Sequence, residues 1–265
     1  MINRQSSFTA LPNKKAKQLH SLTQQKGINT TKSAGGTIGN TLQNLAVLSC
    51  SSPVQFGMIS KIIPTGSPAS DFIQNNHHLM NLDYLSAIDG QVGCAYVLIS
   101  EDGDRTFGIN PGMTDQLPAE GVSEAIIKQA NCLAISAFTL SNEGSPIFKA
   151  TLKATELANK HRTPVVMSLA SENLVQSAKC FLNAYLYDHV TVAAMNSAEA
   201  RALTGSQYTL NACLKVLDQV DISLITDDKN GMYLCGYIDN PDISEQREHA
   251  TGEDFSSLLN KYSDQ

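Results

Sequence analysis

The chain has 265 residues and a formal net charge of −6, with 42% apolar and 17% charged residues. That is enough apolar material for one ordinary α/β domain, and no run approaches the roughly eighteen apolar residues of a membrane-spanning helix. Lys14, Lys15 and Lys17 form only a small basic face, so nucleic acid is excluded as a partner. The opening MINRQSSFTALPNKKAKQLH lacks the apolar segment of a secretory leader, which leaves the cytoplasm as the expected location.

In chain order, residues 1–33 read as a polar N-terminal arm or a short polar helix. The spacing of Leu42, Leu45, Ala46 and Leu48 predicts a helix over residues 40–49. VQFGMISKII (54–63) reads as a strand, and two β-rich runs around Glu-Asp-Gly-Asp predict a hairpin over about 93–110, placed to project as a lid. Strands at 132–140, 164–170, 190–196 and 222–226 then alternate with helices at 146–162, 172–188, 197–205 and 209–219. A further strand is expected at 231–238, followed by a polar tail over 239–265. Short apolar strands separated by helices predict a mostly parallel sheet covered on both faces. The six cysteines never occur as Cys-x-x-Cys and lie mostly in apolar runs, so neither a zinc site nor a disulfide framework is expected.

Four constellations carry chemistry. Gly35 and Gly36 stand just before the first predicted helix, with Asn40 in or near its first turn. The pair permits either close approach of a ligand to bare backbone or simply a tight turn. Asn196 and Glu199 sit three apart at the carboxyl end of a strand, the edge where open α/β sheets bind ligands. They suit a phosphate-linked magnesium held through water, a capping box, or both together. Thr226 ends another strand and can present its hydroxyl to a phosphate, or it opens a plain polar turn with Gly231. Arg105, past the hairpin tip, can close over a phosphate with its forked donors or stay in solvent. The phosphate-loop patterns G-x-x-x-x-G-K-[ST] and G-x-G-x-x-G are absent.

Together these pieces, carried by AGGTIGNT (34–41), DGDRTFGINPG (102–112) and AMNSAEARALTG (194–205), with NLDYLSAIDG (81–90) and TPVVMSL (163–169) in support, resemble the ribokinase-like family of sugar and nucleoside kinases. The resemblance runs over residues 34–238. It implies a ribokinase-like α/β fold whose mostly parallel sheet is flanked by helices and carries a small β-hairpin lid. It also implies transfer of the γ-phosphoryl of ATP, with Mg2+, to the 5′-hydroxyl of a purine nucleoside such as inosine or guanosine. By the same resemblance Gly35, Gly36 and Asn40 lie against the ribose and Arg105 belongs to the lid. Asn196, Glu199, Thr226 and Gly231 would face the nucleotide, with Glu199 reaching Mg2+ through water.

The chain departs from the family pattern in three places. No strand is expected before Gly35, where members carry an acidic residue for the ribose hydroxyls. The late Gly-Ala-Gly-Asp segment is absent, and its nearest approach is Ala250–Phe255, which puts Asp254 in the place of the catalytic base and Glu253 where an anion would bind. Asp228 stands where members usually have glycine. These departures leave a second expectation: a non-catalytic nucleoside-binding or regulatory paralogue, or a fragment of a longer kinase.

Overall fold

A computed structural model describes residues 7–10, 12–49, 53–60, 67–76, 78–90, 92–101, 103 and 105–237. By its internal contacts the chain divides into a unit ending at Cys235 and a second beginning at Gly236.

The central sheet is built from β6 (Leu133–Ser136), β7 (Val165–Ser168), β8 (Val192–Asn196), β9 (Ile222–Thr226) and β10 (Met232–Gly236). They lie in the order β10-β9-β8-β7-β6, with β6 to β9 parallel. The short turn between β9 and β10, closed by the Asp227 N–H donating to the Gly231 carbonyl at 2.8 Å, makes β10 an antiparallel edge. Helix α5 (Pro146–His161) connects β6 to β7, α6 (Glu172–Ser177) and α7 (Lys179–His189) connect β7 to β8, and α8 (Ser197–Thr204) and α9 (Thr209–Val216) connect β8 to β9. A break at Ala178 divides what the periodicity reads as one helix over 172–188 into α6 and α7.

Local chemistry accounts for these elements. Helix α5 begins at Ser145, whose hydroxyl accepts the Phe148 N–H, with Pro146 preset for the first turn. Its Phe148, Thr151, Thr155 and Ala158 face the core at helical spacing. Parallel register puts Met167, Ala193 and Ser223 on one face of the sheet, all fully buried, and Ser168, Ala194 and Leu224 on the other, all half-buried. The expected cover is therefore complete on one face and partial on the other. A sequential strand order explains this, because crossovers of one hand place their helices on the same side.

The first part of the chain holds β1 (Ser7–Ala10), α1 (Asn13–Gln25), α2 (Thr37–Ser49), β2 (Gly57–Ser60), α3 (Pro68–Asn76), β3 (Leu85–Ile88), β4 (Cys94–Ile99) and β5 (Arg105–Asn110). The predicted hairpin is present as β4 antiparallel to β5. The expectation of no strand before Gly35 is overturned, since β1 pairs in parallel with β5, Ser7 against Thr106. Its bond partners lie about a hundred residues away, which a local reading cannot anticipate. Strands β2 and β3 form a separate parallel pair, and Leu42, Ala46 and Met80 make a small second core with Phe72. The described cysteines are less buried than expected: Cys94, Cys132 and Cys180 are exposed, Cys235 is half-buried and Cys213 is buried, each a free thiol.

Between β5 and β6 lies α4 (Glu124–Gln129). One Glu124 oxygen accepts from Lys160 Nζ at 2.7 Å and His161 Nε2 at 2.8 Å, joining α4 to the end of α5. The Lys160 and His161 hydrogen bonds hold this carboxyl at about 2, below its ordinary 4.5. An unfolded glutamate therefore takes up a proton at a higher pH than the folded one does. The stabilisation is complete above pH 4.5 and is lost as pH falls towards 2. Glu124→Gln is expected to lower the melting temperature at neutral pH, with the difference from wild type closing across that acid range. A gap that stays constant with pH would show that charge plays no part.

Candidate functional site

The carboxyl edge of the central sheet carries Asn196, Glu199, Thr226 and Gly231 of the expected site. Asn196 ends β8 and Thr226 ends β9, and register places the two directly opposite each other. Both are exposed. The capping box exists: Asn196 Oδ1 accepts the Glu199 N–H at 2.9 Å, while the Asn196 N–H donates to Glu199 Oε2 at 3.0 Å and Asn196 Nδ2 to Oε1 at 2.8 Å. Burial raises the Glu199 carboxyl above its ordinary value, opposed by the Asn196 hydrogen bonds and assisted by the nearby Glu172 charge.

A carboxylate offers about four acceptor positions, so two remain beyond the cap. A hydrated Mg2+, which prefers oxygen and keeps its waters, fits Glu199 through a water rather than by direct coordination. Among the described residues no group of three or more His, Cys, Asp or Glu is placed to hold a metal by itself.

The turn after Thr226 is held in uncommon backbone conformations. Asp228 lies at φ 49°, the left-handed region that suits the glycine usual at this place in the family, and Gly231 at φ 90°, ψ −135°. Asp227, within this polar turn, takes Thr209 Oγ1 at 3.1 Å and Asn230 Nδ2 at 3.3 Å on Oδ2. The signal for it was its place between Thr226 and the turn.

On the same edge, Ala170 follows β7 at φ 72°, spanned by a Ser171 N–H bond to the Leu169 carbonyl at 2.9 Å. This is a γ-turn in a conformation costly to a residue with a β-carbon. Ala170→Gly is expected to raise stability by about 1 kcal/mol, read as a higher denaturation midpoint. A lower midpoint would mean that the methyl's packing outweighs the strain.

Gly35, Gly36 and Asn40 form a second group at the head of α2, all exposed. Gly36 has φ 108°, and its carbonyl accepts the Asn40 N–H at 3.0 Å. Neither glycine is buried under the protein's own side chains: a β-carbon added at either meets nothing within 4 Å. An open hollow of about 200 Å³ lies just ahead of the pair, lined by Lys32, Ser33 and Ala34, by Gln43 of α2, and by Asp71 and Asn75 of α3. Helix α2 packs against β6, two strands from β8. Arg105 is exposed at the start of β5, opposite Ile99, and belongs to the lid sheet rather than to either group. Asp254 lies outside the described residues.

A mostly parallel sheet flanked by helices, with a small antiparallel lid and polar groups at the strand ends, defines a ribokinase-like α/β fold. Among solved structures, the adenosine kinase from Sinorhizobium meliloti aligns with a TM-score of 0.74 at 17% identity, over 100% of this chain and 80% of that one. The adenosine kinase of Anopheles gambiae, in complex with P1,P4-di(adenosine-5) tetraphosphate, aligns with a TM-score of 0.71 at 18% identity, over 89% of this chain and 76% of that one. The family model described as pfkB family carbohydrate kinase matches residues 13–249, and the chain belongs to that family. The match extends the stretch of resemblance, 34–238, at both ends and takes in α1. The guanosine-inosine kinase of Escherichia coli (strain K12) is 38% identical over 226 residues, which are 85% of this chain and 52% of that protein. The chain thus spans about half the length of the curated relatives it matches. Among the described residues no helix is long and apolar enough to cross a membrane.

Proposed function

We propose that the chain contributes to ATP-dependent phosphorylation of a purine nucleoside, inosine or guanosine, at the 5′-hydroxyl. The observation that carries this reading is the 38% identity to guanosine-inosine kinase over 226 residues. Gly35 and Gly36 offer bare backbone to the ribose, and Asn40 adds an amide one helical turn away. Asn196, Thr226 and Gly231 face the phosphates, Glu199 reaches magnesium through water, and Arg105 closes from the lid. Bound Mg-ATP supplies the phosphoryl group and neutralises its charge, and the chain's own residues orient the reactants, which is where most of the catalysis of phosphoryl transfer resides. Asp254 remains the candidate base.

The purified chain is expected to convert inosine or guanosine, with Mg-ATP, to the 5′-monophosphate, read by chromatography. Asp228, a carboxylate standing where members usually carry glycine, favours a second reading, nucleoside binding without turnover. For that reading, inosine at 100 times its Kd is expected to add about 2.7 kcal/mol of stability with no monophosphate formed. Neither product nor a shift at millimolar nucleoside would end both readings.

A further inference from the structure

Asp227 puts a negative charge on the strand-end edge assigned above to nucleotide phosphates, and like charges there repel. Its contacts give a reason for it to be there. Oδ2 accepts from Thr209 Oγ1 at 3.1 Å and from Asn230 Nδ2 at 3.3 Å. Thr209 is the first residue of α9, so the Asp227 side chain fastens that helix end to the turn after β9. The main chain adds to this, with the Asp227 N–H donating to the Gly231 carbonyl at 2.8 Å and the Asn230 N–H to the Asp227 carbonyl at 2.9 Å. The Ser197 hydroxyl leads the effects that hold the carboxyl below its ordinary range, with the Arg201 charge a smaller one. Asp228 and Gly231 both occupy positive φ, and a backbone of that kind persists only where its surroundings over-determine it.

We propose that Asp227 is a positioning residue for Mg-nucleotide binding: by tying the α9 N-terminus to residues 227–231 it holds Thr226 and Gly231 at the strand-end edge without touching the ligand. This rests on the nucleotide-binding reading above. Simple electrostatics predicts that removing the charge tightens nucleotide binding; positioning predicts the reverse.

The test is calorimetric titration of the full chain with Mg-ATP and, separately, with inosine. Asp227→Ala is expected to weaken Mg-ATP about tenfold and to leave inosine affinity unchanged. Asp227→Asn keeps an acceptor for Thr209 and should recover most of the loss. Thr209→Val, which removes a donor while leaving Asp227 in place, should weaken Mg-ATP in the same direction, and it carries the test if Asp227→Ala does not fold. Unchanged or tighter Mg-ATP binding by Asp227→Ala, or by Thr209→Val in its place, overturns the proposal, as does an equal loss for inosine. Wild-type protein that binds no Mg-ATP overturns the nucleotide reading along with it, whereas wild-type binding with unaltered variants overturns the positioning role alone.

Discussion

Gly35→Ala is expected to weaken inosine binding roughly 10- to 100-fold, the effect of forcing a methyl group into a well-packed contact, while leaving the melting behaviour unchanged or slightly improved. Gly35 does not lie at positive φ, and an added β-carbon there meets nothing of the protein within 4 Å. The fold itself therefore has no need of glycine at this position, and a small gain from a stiffer unfolded chain is the only internal consequence. A loss of affinity without a loss of stability isolates a ligand resting on the backbone.

Gly36→Ala is the built-in contrast. Its φ of 108° is strained for any residue with a β-carbon, so about 1–2 kcal/mol of stability should go together with affinity. Thermal melts and inosine titrations of the two variants separate the cases. If Gly35→Ala binds inosine as wild type does, the ribose does not lie against this turn.

Glu199→Ala is expected to lower phosphoryl transfer, or Mg-ATP binding where turnover is absent, by about 10- to 100-fold, the range for groups acting on a metal through its outer shell. It should also lower stability by about 1–2 kcal/mol, because the Asn196 N–H and amide both lose their acceptors and α8 loses half its cap. Glu199→Gln separates these roles, since glutamine serves in a capping box but carries no charge: stability should largely return and nucleotide function should not.

The two proteins should also respond differently to pH. Burial raises the folded Glu199 above its ordinary 4.5, so with rising pH the unfolded chain ionises first and gains relative to the folded one. Wild type should therefore lose stability relative to Glu199→Gln as pH climbs through that window, read from melting temperatures across it. A glutamine variant with full Mg-ATP binding would leave Glu199 as a helix cap and nothing more.

Local rules explain which parts of this molecule were readable in advance. The Pro146–His161 helix, the Val192–Asn196 strand with its capped helix, and the Gly205 stop at φ 71° each follow from residues within a few positions of one another. Helix α3 escaped notice because PASDFIQNN shows too little apolar periodicity to stand out, and it is anchored by Phe72 packing into the small second core. The division at Ala178 was invisible because apolar residues continue on both sides of it. Asn196 and Glu199 were legible as a pair because a capping box is written in three consecutive intervals of chain. Asp227 was not, because its Thr209 partner is eighteen residues away and on another element.

The sequence alone determined the class of fold, the strand and helix rhythm from residue 133 onward, and the residue types set at each strand end, since these depend on side-chain spacing and on the φ range open to each residue. Tertiary structure decided the rest. It paired β1 with β5 in the lid, aligned Asn196 with Thr226 through the β8–β9 register, left the glycine turn open beside its hollow, and brought Thr209 to Asp227. These depend on hydrogen bonds and packing between segments distant in the chain, and such partners are selected only when the whole apolar surface is buried together.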